Sequence, residues 1–190
     1  PAMPRATDGL PPIDRTAKLY VDGRQARPDG GYSAPVVAPD GRLIGEIGLG
    51  NRKDIRNAVE AARKAEGWSR ATAHNRAQIL YYLGENLEAR SAEFRDRIAA
   101  MTGCRKAKAA AEVAAAVARL FSYGAWADKF EGAVHQPPLR GIAIAMPEPL
   151  GIIGLLCPTP LPLLGFVSLV APAIAMGNRV VAVPSERHGL

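Results

Sequence analysis

The strongest constraint on this chain is an uncharged run of thirty residues, Pro149 to Asn178. Thirty such residues are long enough to span a bilayer. Five prolines, Pro149, Pro158, Pro160, Pro162 and Pro172, fall inside the run, and each would interrupt the hydrogen-bond ladder of a spanning helix. The run divides instead into a strand, a loop and a helix. Ile152 to Cys157 is a continuous apolar segment, the pattern of a parallel strand buried on both faces. Pro162 suits the first turn of a helix, which runs to about Ala175 and stops at Gly177-Asn178. Arg179 to Val183 follows as a second buried strand, ended by Pro184. Strand, helix, strand over this length is one βαβ unit, right-handed by default. A doubly wound sheet needs more strands than two. The expectation is that the remainder of the same polypeptide, or a second chain, completes the sheet.

Upstream of the run, the pattern begins with turns and short strands. Asp22-Gly23 separates Lys18–Val21 from Arg24–Arg27, a strong hairpin signal, and Leu43 to Ile47 is a further strand. From Asn51 the period becomes helical. Asn51 and Asp54 form a capping pair ahead of Ile55, Ala58, Val59, Ala62 and Ala65, with Gly67 as the stop. Thr72 starts a longer helix whose stripe is Ile79, Leu83, Leu87, Phe94, Ile98 and Met101, ending at Thr102-Gly103. A third, alanine-rich helix spans about Lys106 to Lys129, its small side chains suited to close packing. An alternating strand, Arg140 to Met146, follows the Gln136-Pro137-Pro138 turn.

Composition narrows the function classes. The net charge of +6 comes from 24 basic and 18 acidic residues spread along the chain, and aromatics make up 6%. Without a clustered basic stripe or stacking rings there is no nucleic-acid surface. Cys104 and Cys157 form no disulfide framework, and His74, His135 and His188 show no metal-ligand spacing. Pro1 to Asp14 lacks the apolar core of a signal peptide. The expected compartment is the cytoplasm.

The motifs on the βαβ unit resemble a known family. Glu148-Pro149-Leu150-Gly151-Ile152-Ile153-Gly154, then Pro158 and Pro162, then Ala171 to Asn178, then Pro184-Ser185-Glu186 are similar, in order, to the aldehyde dehydrogenase signature EPLGVVG…PWNFP…APALAAGN…KPSE. The upstream hairpin, the Thr102-Gly103 turn and Ala125-Trp126-Ala127-Asp128-Lys129 extend the likeness to roughly Lys18–Glu186. The resemblance implies an α/β fold: an incomplete Rossmann-like cofactor domain with N-terminal β-hairpins, three helices and a βαβ unit. Residues 1–17 would be a tail, 18–139 the hairpins and helical part, 140–148 a strand of the oligomerisation sheet, and 149–190 the first βαβ unit. It also implies NAD as cofactor, with Cys157, Pro158 and Glu186 on its binding face, and a homodimer. The family's nucleophilic cysteine and general-base glutamate match no position here, so no catalytic residue is assigned.

Two motifs depart from the signature where it bears on the chemistry. The family's PWNFP asparagine donates to the oxyanion of the thiohemiacetal, a kind of contact worth about 10²–10³ in rate. Anchored by Pro158 and Pro162, its position here is Pro160, preceded by Thr159 in place of tryptophan. The lysine of KPSE, which holds the adenosine ribose, is replaced by Val183. The pair of losses is most similar to the non-catalytic second domain of the two-domain family 16 aldehyde dehydrogenases. It implies a structural, oligomer-forming part of an NAD-dependent protein, with NAD binding weak or lost. The alternative is part of an active NAD(P)-dependent dehydrogenase that oxidises an aldehyde to a carboxylic acid.

Overall fold

The computed structural model describes residues 16–190; the expected tail, save for its last two residues, lies outside them. Eight strands and six helices follow in the order β1 (Leu19–Val21), β2 (Arg24–Ala26), β3 (Ser33–Val37), β4 (Leu43–Gly48), α1 (Arg52–Lys64), α2 (Gly67–Arg70), α3 (Ala73–Ala89), α4 (Ser91–Thr102), α5 (Lys106–Ala127), β5 (Ala133–His135), β6 (Ala143–Ala145), β7 (Ile152–Leu156), α6 (Pro162–Ala175) and β8 (Arg179–Val183). The strands form four two-stranded sheets, three antiparallel hairpins and the parallel pair β7–β8.

The local signals act as chemistry dictates. Asp22 and Gly23 both take positive φ, 58° and 71°, which gives the turn the twist that β1 and β2 need. At the start of α1 the Asn51 side chain accepts from the Lys53 and Asp54 amides while Asp54 returns to the Asn51 amide. The buried Asp54 carboxylate also accepts from the Asp29 amide at 3.1 Å, fastening the hairpin region to the helix. Beside it Lys53 bonds Asp29, and that contact holds the Asp29 carboxyl below its usual range.

Helix number and register differ from the sequence expectation. Gly67 does not end α1, whose cap is Ala65, but opens the single-turn α2. The long helix expected from Thr72 to Thr102 breaks at Arg90, which closes α3 and opens α4 with non-helical dihedrals. Five helices therefore precede the βαβ unit, not three. On α3 the buried stripe is Ala77, Leu80, Gly84 and Leu87, while Ile79 and Leu83 stay partly exposed. The reason is the partner. An ideal Cβ at Gly84 would stand 3.2 Å from the Phe121 ring of α5, and one at Gly124 2.8 Å from the Tyr81 ring. Small residues sit where α3 and α5 approach closely, and hydrophobicity alone does not mark such positions as core.

The main core lies between α3, α5 and α6, with Leu80, Ala116, Leu120, Val167 and Ala171 at its centre. A second cluster joins Val36 and Ile47 of the β3–β4 hairpin to Met101 of α4. The strand expected over Arg140–Met146 is shorter, and pairs with β5, a segment the sequence left within the helical part. The expectation that the strands of the βαβ unit are buried on both faces is not met: no residue of β7 or β8 is fully buried, and Leu156 is 82% exposed. Two strands alone leave both edges of this sheet without a neighbour among the described residues.

Candidate functional site

In parallel α/β sheets ligands gather at the carboxyl ends of the strands. Here that edge is formed by the loops after β7 and β8. The Cys157 amide donates to the Val183 carbonyl at 2.9 Å, one step beyond the strand ladder. The Ser185 hydroxyl lies 3.1 Å from that of Thr159, and the Arg187 amide donates to the Ser185 oxygen. His188 Nδ1 is 3.0 Å from the Thr159 carbonyl. A carbonyl only accepts, so this ring nitrogen carries the proton. Thr159 therefore ties the first loop to the second.

At the opposite edge the buried Asn178 performs the same service. Its Oδ1 accepts from the Gly151 amide, and the Arg179 amide donates to the Gly151 carbonyl. Just before it, the last carbonyls of α6 lie beyond the regular helical ladder, and Ile174 O accepts from the Gly177 amide as well as from a side chain. Trp68 Nε1 donates to Ile174 O, Arg76 Nε to Ala175 O and Ser69 Oγ to Gly177 O. The elements α2 and α3 thus hold the turn from which β8 departs.

The N-terminus of α6 is held by a residue from another helix. Leu161 takes a left-handed φ of 52° and offers no side-chain cap, and Pro162 has no N–H. The Leu163 and Leu164 amides both donate to Glu112 Oε1 of α5, at 3.0 and 3.2 Å. Glu112 is only 6% exposed. Nearby, Pro158 packs on the first turn of the helix, where an ideal Cβ at Gly165 would come within 2.5 Å of its ring.

The three residues assigned to a cofactor face occupy this edge in different ways. Cys157 is half-buried, and burial pushes its thiol above the ordinary value. Pro158 is engaged with α6. Glu186 is exposed and makes no ion pair or hydrogen bond within the described residues. Pro160 is exposed in the same loop. The residues that hold the two edges of the βαβ unit, Glu112 and Ser185 at the site and Asn178 and Arg76 opposite it, do not stand out in the sequence as site residues. Glu112 left a signal, a lone acid at helical spacing from Ala109, Val113 and Ala116 on the buried stripe. The others declare themselves only through partners distant in sequence. No group of three metal-ligating side chains gathers among the described residues, and none of their helices is long and apolar enough to cross a membrane.

The sequence pattern of the aldehyde dehydrogenase family matches residues 27–190. The chain belongs to that family. It is 33% identical to an aldehyde dehydrogenase of Aspergillus niger over 90% of this chain and 35% of that protein. With the 2-hydroxymuconic semialdehyde dehydrogenase of Pseudomonas putida it shares 32% identity over 91% of this chain and 37% of the relative. Among solved structures, PnpE from Pseudomonas sp. WBC-3 superposes with a TM-score of 0.88 at 30% identity, over 91% of this chain and 36% of that one. PnpE in complex with nicotinamide adenine dinucleotide gives 0.85 at 30% identity, over 87% and 35%. The chain spans about a third of the length of the curated relatives it matches. The α/β architecture, an incomplete Rossmann-like unit with its small hairpins, is that of the corresponding part of these enzymes.

Proposed function

We propose that this chain is the cofactor-side part of a dehydrogenase-type domain that has kept the fold and lost the chemistry, serving structure and assembly. The observation that carries the reading is Pro160, exposed in the loop that follows β7. An oxyanion in a partly dry pocket needs a donor already in place, and proline offers neither a side-chain donor nor an N–H. The neighbouring Thr159 hydroxyl is engaged with Ser185.

The family implies a nicotinamide dinucleotide, and the residues present fit it only in part. Glu186 is free to accept from ribose hydroxyls, whereas Val183 supplies no cation. On this reading NAD binds weakly or not at all, the intact protein is a cytoplasmic homodimer, and the β5–β6 hairpin contributes to its interface. Ile142 and Ile144 there are 73% and 66% exposed, an apolar face that suits burial against a partner.

The test uses the intact protein, with any other active site silenced at its own nucleophilic cysteine. Oxidation of a simple aldehyde with NAD should fall to background, and NADH fluorescence should report feeble binding. Turnover that persists, and that drops when Thr159 is replaced, would favour the alternative of an active NAD(P)-dependent dehydrogenase with an unusual donor.

A further inference from the structure

We infer that Asp22 is a site of spontaneous isoaspartate formation, the one aspartate–glycine pair among the described residues whose carboxyl and following amide the fold leaves free to react. The inference stands apart from the proposed loss of chemistry and holds whether or not the intact protein turns over.

Isoaspartate forms when the amide nitrogen after an aspartate attacks the side-chain carboxyl carbon. The carboxyl loses its hydroxyl and the amide its proton, so one water leaves as a succinimide ring closes. Water then opens the ring, and opening at the α-carbonyl leaves the chain running through the β-carboxyl. Glycine follows best because it carries no Cβ and rotates freely. The step needs a neutral carboxyl that can turn and an amide that can meet it. Asp40-Gly41 has both groups engaged: Asp40 Oδ1 accepts from the Arg42 amide at 3.0 Å, and the Gly41 amide donates to Ala38 O at 2.9 Å. In Asp29-Gly30 the carboxylate is held by Lys53 and by Asn51 Nδ2 at 3.3 Å. The Lys53 contact also keeps it ionised to lower pH than usual. Asp22-Gly23 has no such protection. Arg24 Nη2 stands 3.9 Å from the Asp22 carboxylate, too far for a hydrogen bond, and the Gly23 amide has no acceptor among the described residues. An ideal Cβ on Gly23 would meet no atom within 4 Å, so the ring has room to close. The flanking strands are three residues each, and so short a two-stranded hairpin opens more readily than the helical core. The product adds a carbon to the backbone of a two-residue turn. Loop length sets hairpin register, so the pairing of Val21 with Arg24 and Leu19 with Ala26 is lost. Leu19 and Val21 line a cleft with Ala61 of α1, and the hairpin loses its seat on that helix.

The experiment reads a covalent product and not turnover. The intact protein is aged for weeks in neutral buffer, with and without denaturant, and then digested. Isoaspartate in each aspartate–glycine peptide is measured by methyl transfer from S-adenosylmethionine with an isoaspartyl methyltransferase. A fourth pair, Asp8-Gly9, lies outside the described residues, and its peptide is read separately. In the folded protein the Asp22 peptide should hold several-fold more isoaspartate than the Asp29 and Asp40 peptides. In denaturant the three should converge, since the protecting contacts are gone. Asp22→Glu, which would have to close a larger ring, should remove the signal from this peptide and leave the other two unchanged. Asp22→Asn should raise it, because asparagine suits the left-handed φ equally well and loses ammonia more readily than the acid loses water. Amides of β1 and β2 should exchange faster in the aged protein, while those of α3 and α5 stay as they were. Equal yields from the three peptides in the folded protein, a ranking that denaturant leaves unchanged, a signal that survives Asp22→Glu or is not raised by Asp22→Asn, or hairpin amides untouched by ageing would each overturn the inference.

Discussion

Replacing Arg76 by methionine should loosen the turn between α6 and β8 more than any other single change on the surface of α3. Arg76 lies in the first turns of α3, where a cation opposes the dipole of its own helix by about 0.3–1 kcal/mol. It is kept there by what it reaches. Its Nε donates to Ala175 O at 2.9 Å and its Nη1 to Ala71 O, while burial pushes the guanidinium below its ordinary value. A hydrogen bond from a charged donor is worth about 1.5–3 kcal/mol net. Two such bonds, less the partial burial of the charge and the unfavourable dipole, leave about 2–3 kcal/mol for Arg76→Met. Lysine keeps the charge but cannot fork to both carbonyls, so Arg76→Lys should lose about half as much. Hydrogen exchange on the intact protein is the direct assay. The Asn178 amide donates to Ala173 O within this turn. If it exchanges by local opening, a loss of about 2 kcal/mol speeds it by about thirtyfold. Exchange within about twofold of wild type, since a twofold change is only about 0.4 kcal/mol, would show that the carbonyls are as well served by water, and the argument would fail.

Other perturbations test other links. Leu80→Ala, at a fully buried position between α3 and α5, should cost about 2–5 kcal/mol in chemical denaturation; a change under about 1 kcal/mol, the range of conservative core swaps, would contradict the assigned core. Ile142→Lys with Ile144→Lys should shift the intact protein toward smaller species in light scattering, and an unchanged mass would remove the hairpin from the interface. Pro160→Asn alone should not restore aldehyde oxidation, because catalytic groups act as a unit; measurable turnover from that one change would show that the rest of the site is intact. Because burial raises the Cys157 thiol, less thiolate is present near neutrality, so its alkylation by iodoacetamide should follow a pH profile displaced upward from that of a free thiol. A midpoint at or below the free thiol's would contradict this.

The sequence alone determined much of the local order. Asp22-Gly23, the Asn51–Asp54 capping pair, Pro162 at a helix start and Gly177 at a helix end are interactions among neighbours, and their chemistry is complete within a few residues. The same holds for the βαβ unit, where apolar runs and punctuation fix the succession of strand, helix and strand, and for Pro160, whose missing donor is a property of the residue itself. The tertiary structure decided what depends on distant partners. Which face of α3 is buried follows from α5, since Gly84 and Gly124 mark a close approach that a hydrophobic pattern reads as weakness. The break at Arg90 and the pairing of β5 with β6 were equally out of reach. So was the role of Glu112: a lone acid on an alanine-rich stripe acquires meaning only when the amides of Leu163 and Leu164, fifty-one and fifty-two residues away, fold onto it. A buried charge is tolerable only with partners, and here those partners exist only once α5 and α6 have packed together.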